Sequence, residues 1–215
     1  MFVSSAAYLS FGFIADGGFM LVVGTFASRR RRRRAREILD RFSHELIIAT
    51  EITSFVQHVD EGTVVAALVN PWAEVIRRLA SEPDLLYDFA KFPRRFEELI
   101  AASYDRDGFR VTLTPRSGDL GRDIIAEKSG FGSLRILDQC KAFSKGNLVT
   151  PNDVRAVMGV LGRDQNASKA VITTSSSFAP SVREEWKKSI PYRLELRGKD
   201  DLISWLSQLD QRKIG

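Results

Sequence analysis

The order of strand and helix patterns in the C-terminal half limits this chain to a small group of mixed α/β folds. An amphipathic helix comes first, because Phe96, Leu99 and Ile100 share one helical stripe. Apolar runs separated by short turns rich in Gly, Ser, Pro and Asp then predict strands that alternate with helices. The predicted elements are a helix at 93–104, strands at 108–113, 122–128 and 134–143, a helix at 150–163, a strand at 168–175, a helix at 179–189, a strand at 192–196 and a helix at 198–209.

This order predicts an α/β protein whose mixed sheet carries helices on its faces. The apolar segment 168–175 is suited to the buried centre of such a sheet. A chain of 215 residues, with 44% hydrophobic and 27% charged residues, can form one well-cored domain beside a smaller helical region. We place the α/β domain at residues 91–215.

The N-terminal segment 1–36 has a different composition. Residues 2–27 contain one charged residue, Asp16, and seven arginines follow at 29–34 and 36. The apolar stretch is long enough to span a bilayer, with its arginine-flanked end in the cytoplasm. An acid at mid-depth costs about 2.5–3.5 kcal/mol, however, which argues against insertion. A membrane anchor and a disordered or mis-started leader therefore both stay open.

Residues 37–90 predict a helical prefix or linker without chemistry of its own. Apolar residues recur at helical spacing from Arg36 to His58, which indicates a long amphipathic helix. Asn70-Pro71 and Pro83 are typical helix starts. The segment holds three arginines against ten acids, so it repels polyanions, and it offers a surface for assembly into a homo-oligomer.

Charge and cysteine content limit which partners this chain can bind and which kinds of site it can form. Residues 91–215 carry 22 Lys and Arg against 16 Asp and Glu, a balance that favours a polyanionic partner. The single cysteine, Cys140, excludes an internal disulfide and fits a reducing compartment such as the cytoplasm. With His44 and His58 as the only histidines, a Cys/His zinc site is also excluded.

Polar side chains on two neighbouring predicted strands point to one candidate site. Gln139 and Lys141 lie two residues apart and so share a face of their strand. Asp123 lies near the start of the preceding strand, which pairs with this one across a short turn, and Glu97 or Glu98 approaches from the helix before. Carboxylate and amide oxygens suit a hard cation such as Mg²⁺. A nearby lysine can orient water and stabilise charge developing at phosphorus, as phosphodiester hydrolysis requires.

The segment "GFRVTLTPRSGDLGRDIIAEKSG" followed by "LDQCKAF" resembles the catalytic domain of the Mrr-type (type IV) restriction endonucleases, within the PD-(D/E)XK nuclease superfamily. The downstream segments "VTPNDVRAVMGVL", "ASKAVITTSSSFAPSVREEW" and "LRGKDDLISWL" match as well. The resemblance covers about residues 90–207. It implies a restriction-endonuclease-like mixed sheet core flanked by helices, with the N-terminal α-helical segment added.

The resemblance also implies roles for individual residues. Asp123 would be the principal metal ligand, and Gln139 would take the place of the Glu or Asp of many superfamily members. Lys141 would be the catalytic lysine. The main-chain carbonyl of Cys140 would complete the metal shell, and Glu97 would be the acid of the family's "FE" pair.

Further residues come with alternatives. Asp119 more plausibly shapes the turn ahead of the strand than binds metal. Arg116, Lys145 and Ser177 are candidate DNA contacts, weighed against ordinary surface and helix-capping roles. The implied function is Mg²⁺-dependent cleavage of double-stranded DNA in defence against foreign genomes. The alternative is a catalytically weak DNA-binding or membrane-associated interaction protein that keeps the nuclease fold.

Overall fold

The computed structural model divides the chain into two units, Met1–Ser43 and His44–Gly215. It describes residues 12–13, 19–20, 47–115, 121–130 and 132–212. In the first unit, strand β1 (Gly12–Phe13) pairs antiparallel with β2 (Phe19–Met20). The rest of the candidate anchor at 2–27 and the arginine run lie outside the described residues. Across the described residues, we find no helix of the length and apolar character that a membrane span needs.

The second unit consists of strands that alternate with helices over most of its length. A helical turn at 47–49 comes first. The strands are β3 (Thr53–Val59), β4 (Gly62–Ala67), β5 (Arg110–Leu113), β6 (Ile124–Gly130), β7 (Gly132–Lys141), β8 (Leu148–Val149), β9 (Lys169–Thr174), β10 (Ser177–Phe178) and β11 (Leu194–Arg197). The helices are α1 (Val69–Ser81), a 3-10 helix (Pro83–Lys91), α2 (Pro93–Arg106), α3 (Pro151–Arg163), α4 (Pro180–Trp186) and α5 (Lys199–Gln211).

Seven strands form one mixed sheet in the order β11-β9-β7-β6-β5-β4-β3. The pairs from β3 to β7 are antiparallel, whereas β7, β9 and β11 run parallel. The short strands β8 and β10 form a separate parallel pair. The expected mixed α/β sheet with flanking helices is therefore confirmed.

The sequence predicts a long helix from Arg36 to His58. Of the described part of this range, only residues 47–49 are helical, and the prediction is wrong for the residues after them. Thr53–Val59 forms the edge strand β3, and a tight turn joins it to β4. Gly62 permits this turn, since its φ is 149° and a Cβ there would lie 2.1 Å from the carbonyl oxygen of Leu113. Pairing with β4, which is itself paired with the distant strand β5, thus decides the structure of a segment whose local spacing favours a helix.

The two helices expected in the remainder of this region form close to their predicted starts. Helix α1 begins at Val69, with Leu68 in the capping position, so Asn70 lies in the first turn instead of capping it. The 3-10 helix begins at Pro83, as expected.

Helices cover both faces of the sheet. Successive residues of a strand point to opposite sides, so each strand contributes side chains to both cores. On β7, Ile136 belongs to the core formed with α1, α2 and α5, whereas Leu137 belongs to the core formed with α3 and α4. The first core is built around the fully buried side chains Trp72, Phe96, Leu99, Ile100 and Leu206. The second contains Val154, Val157, Leu161, Ala170, Ile172 and Val182. Strand β9 is buried along nearly its whole length, as its sequence predicts.

One acid lies within the first core. Asp138 on β7 is fully buried, and its Oδ2 accepts hydrogen bonds from the hydroxyls of Tyr104 (2.9 Å) and Thr173 (2.7 Å). The guanidinium of Arg197 lies 3.9 Å from the same oxygen and packs on Trp205, 4.0 Å from its ring centroid. Burial raises the pKa of Asp138, although the charge of Arg197 and the two hydroxyls act in the opposite direction.

We expect Asp138→Asn to change the pH dependence of stability, because asparagine can still accept both hydroxyl hydrogen bonds but does not titrate. A raised pKa in the folded state means that the contribution of Asp138 is largest below the usual carboxyl value of about 3.9 and is lost as the pH rises through the folded value. The free energy of urea unfolding of the wild type, minus that of the variant, should therefore fall between pH 4 and pH 7. An increase over that range would contradict this assignment.

Candidate active site

The pairing of β6 with β7 sets the position of Asp123. Ile124 lies opposite Asp138 in this antiparallel pair, so Asp123, one residue before β6, comes opposite Gln139. The backbone N–H of Asp123 donates to the carbonyl of Asp138 (3.0 Å), and its own carbonyl accepts from the N–H of Thr114 (3.0 Å). The main chain at Asp123 is thus held from both sides although it lies at the end of a strand.

The side chain of Asp123 contacts the neighbouring strand directly. It is 7% exposed, and its Oδ2 accepts a hydrogen bond from the backbone N–H of Cys140 (2.7 Å) and one from the side-chain amide of Gln139. Hydrogen bonds to an ionised carboxylate are stronger than those between neutral groups. The structure therefore brings together the acid and the amide that the sequence predicts to converge.

Lys141 shares a face of β7 with Gln139, but its ammonium pairs with a different acid. Its Nζ lies 3.3 Å from Oδ1 of Asp153, in the first turn of α3. Burial acts to raise the pKa of Asp153, yet the hydrogen bonds from Thr150 and the charge of Lys141 outweigh it and lower that pKa. Asp153 is therefore an anion at neutral pH, next to the candidate catalytic lysine.

Of the two glutamates on α2, Glu97 is the one whose hydrogen-bond partner also bonds the strand end. Arg94 donates from Nη1 to Oε2 of Glu97 (2.8 Å) and to the carbonyl of Thr114 (3.0 Å), the residue that bonds the main chain of Asp123. Glu98 pairs with Arg95 at 2.8 Å. Arg94 thus links Glu97 to the site, a role that the sequence alone did not indicate.

Cys140 is not suited to act as a nucleophile. Burial raises the pKa of its thiol, and the negative charges of Asp138, Asp123 and Glu97 raise it further. The side chain is partly buried and packs against the first core. The thiolate, which is the reactive form, is therefore scarce at neutral pH.

Two of the candidate DNA contacts, Lys145 and Ser177, lie on the described surface. Lys145 is exposed, and its Nζ lies 3.2 Å from Oδ2 of Asp84 on the 3-10 helix. Ser177 is exposed on β10 and lines a cavity of about 550 Å³ together with Tyr87 and Lys199. Arg116 and Asp119 lie outside the described residues.

Asp153, like Arg94, is a residue at the site that the sequence alone did not indicate. The pattern Thr150-Pro151-Asn152-Asp153 is a recognisable helix start, because an acid three residues after a threonine closes a capping box. That signal identifies the cap but not the contact with Lys141, which depends on how α3 packs on the sheet.

Over the described ranges, no group of three or more His, Cys, Asp or Glu side chains is arranged to hold a metal ion.

The fold and the site together define a class: a mixed α/β domain with an acid, an amide and a lysine on two adjacent strands. The sequence model of the Mrr catalytic domain, described as a restriction endonuclease, matches residues 91–206, which is more than half of the chain. The chain therefore belongs to the Mrr-type restriction endonuclease family.

The solved structures that are similar to this chain include two restriction endonucleases. One is the MspJI restriction endonuclease in complex with a 27-mer oligonucleotide, with 22% identity over 71% of this chain and 34% of that chain, at a TM-score of 0.42. The other is the DNA modification-dependent restriction endonuclease AspBHI, with 15% identity over 91% of this chain and 45% of that chain, at a TM-score of 0.44. This chain thus spans less than half of either protein. No curated protein matches the sequence.

The raised pKa of Cys140 leads to a labelling prediction, and the measurement is simple because this is the only cysteine. Iodoacetamide at pH 8 should alkylate the folded protein at least about tenfold more slowly than the urea-unfolded protein, since only the thiolate reacts. The rate is measured by mass spectrometry of the intact protein. Equal rates in the two states would show that the thiol is not held protonated.

Proposed function

We propose that this domain hydrolyses phosphodiester bonds of double-stranded DNA and acts in the restriction of foreign DNA. Membership of the restriction endonuclease family supports the reaction class. The observation that carries the proposal is the contact of the Asp123 carboxylate with Gln139, with Lys141 on the same face of β7. An acid, an amide and an ammonium on adjacent strands are the groups that metal-assisted hydrolysis of a phosphodiester uses.

The donor set fits a divalent cation. Asp123 offers a carboxylate, Gln139 an amide oxygen and Cys140 a main-chain carbonyl, and all three are oxygen ligands that Mg²⁺ accepts. The amide of Gln139 carries both a donor nitrogen and an acceptor oxygen, so the side chain that donates to Asp123 is also chemically able to ligate a cation. When bound there, Mg²⁺ would neutralise phosphate charge and make a bound water more acidic.

The remaining residues act on the substrate and on each other. The ammonium of Lys141 stabilises negative charge that develops on the phosphate and orients the attacking water. Glu97, held by Arg94, adds a second acid on the α2 side of the site. Arg116, Lys145 and Ser177 contact the DNA backbone. The basic balance of residues 91–215 supports DNA as the partner.

A second candidate function is DNA binding without efficient cleavage. It is favoured by one feature of the ligand set, since Gln139 is neutral where a carboxylate would add charge for a cation. The two functions differ in one observable property, which is metal-dependent strand cleavage.

We expect the wild type to cleave plasmid DNA with Mg²⁺ and to lose this activity in EDTA. Asp123→Asn and Lys141→Ala should each lower the cleavage rate by about 10² or more, because each removes a charged group that acts on the reacting phosphate. The rate is followed by loss of supercoiled plasmid on gels. Lys188→Ala, at an exposed lysine on the loop after α4, is the matched control and should cleave like the wild type.

Equal loss of plasmid with the wild type and both site variants would overturn the catalytic assignment and indicate a contaminating nuclease. DNA binding by the wild type without Mg²⁺-dependent cleavage would instead support the second candidate function.

A further inference from the structure

The ion pair between Lys141 and Asp153 is partly shielded from solvent. Their side chains are 28% and 24% exposed, and the two charged atoms lie 3.3 Å apart. Asp153 comes from a helix that follows β7, after the short strand β8, so the contact is tertiary and not a consequence of chain neighbourhood.

The start of α3 fixes the direction of the Asp153 carboxylate. Its Oδ2 accepts hydrogen bonds from the backbone N–H (2.9 Å) and the hydroxyl (2.7 Å) of Thr150, which complete a capping box. With Oδ2 engaged in this way, Oδ1 is the oxygen that faces Lys141. The two carboxylate oxygens of Asp153 therefore contact two different elements: Oδ2 bonds Thr150 at the start of α3, and Oδ1 pairs with Lys141 on β7.

The elements that carry the pair are also fixed relative to each other. Val154, the residue after Asp153, is fully buried in the core that contains Leu137 of β7. The main-chain carbonyl of Lys141 accepts from the hydroxyl of Thr174 (2.8 Å) and the N–H of Ser175 (3.2 Å). Lys141 is thus held at its backbone by the end of β9 and at its ammonium by the start of α3.

We propose that Asp153 is a positioning residue that holds the Lys141 ammonium ready to stabilise the phosphate, an inference that rests on the proposed nuclease function. A free lysine side chain is flexible and samples many rotamers, so restraint at its charged end orients it before substrate arrives. A charge held in place beforehand stabilises a transition state without reorganisation at the moment of reaction. Two other roles are separable by experiment: a cap without influence on Lys141, and a latch that keeps Lys141 away from substrate.

Asp153→Asn is the most direct variant, because the amide oxygen can still accept from Thr150 while the negative charge is lost. In single-turnover cleavage with Mg²⁺, the rate constant should fall about tenfold to a hundredfold, the size of effect that follows from a misplaced catalytic group. DNA affinity, measured with Ca²⁺ in place of Mg²⁺, should not weaken. Asp153→Glu keeps the charge and a side chain favoured at this capping position, and should recover part of the rate.

A double variant separates positioning from a purely structural effect. If Asp153 acts through Lys141, then Asp153→Asn should cause no further loss of rate in a Lys141→Ala background. The same fold-loss in both backgrounds would overturn the proposal, because Asp153 would then act independently of the lysine. An unchanged rate for Asp153→Asn alone would leave the cap as its only role, and a faster rate would identify a latch.

The outcomes also distinguish a failure of this inference from a failure of the proposed nuclease function. If the wild type fails to cleave, or Lys141→Ala cleaves at the wild-type rate, the proposed nuclease function fails and the inference falls with it. If Lys141→Ala is impaired and Asp153→Asn is not, only the inference fails.

Discussion

The antiparallel pairing of β6 with β7 is the constraint on which the candidate site depends. It places the residue before β6 opposite Gln139, so that one oxygen of Asp123 receives hydrogen bonds from a side chain and from the backbone of Cys140. A shift of this register by one residue would turn Gln139 and Lys141 toward the opposite core. The hydrophobic alternation of β7 therefore determines where the polar residues point as well as how the sheet packs.

The same strand carries a second polar group on its other face. Asp138 directly precedes Gln139 on β7, and its carboxylate accepts hydrogen bonds from hydroxyls of α2 and β9. Its backbone carbonyl accepts the N–H of Asp123. One residue thus connects the buried network to the candidate site through a single main-chain hydrogen bond, and the guanidinium of the buried Arg197 lies 3.9 Å from its carboxylate.

Much of this arrangement is predictable because it depends on local periodicity. The elements from α2 to α5, apart from the two-residue strands β8 and β10, follow from apolar spacing, and the convergence of Asp123 with Gln139 follows from a short turn and the two-residue repeat of a strand. Residues 53–58 fall at the end of a range whose apolar spacing predicts a helix, whereas their pairing with β4 depends on contacts that spacing does not encode. The partner of Lys141 escaped prediction for a related reason. Its identity depends on how α3 packs against β7.

The sequence and the structure each supply part of the case for Glu97. Sequence resemblance favours it over Glu98, and the hydrogen bonds of Arg94 connect it to the carbonyl of Thr114 and so to the strand end beside Asp123. Glu97 as the site acid stays a prediction from the resemblance, and the structure adds the arginine that hydrogen-bonds to it.

The most direct test of the central claim is the dependence of cleavage on Mg²⁺ concentration in the wild type and in Gln139→Glu. If Asp123 and residue 139 together ligate the cation, a second carboxylate should lower the Mg²⁺ concentration needed for half-maximal cleavage, because hard cations bind more tightly as ligand charge increases. Identical Mg²⁺ dependence in the two proteins would contradict the account, since residue 139 would then have no part in binding the metal.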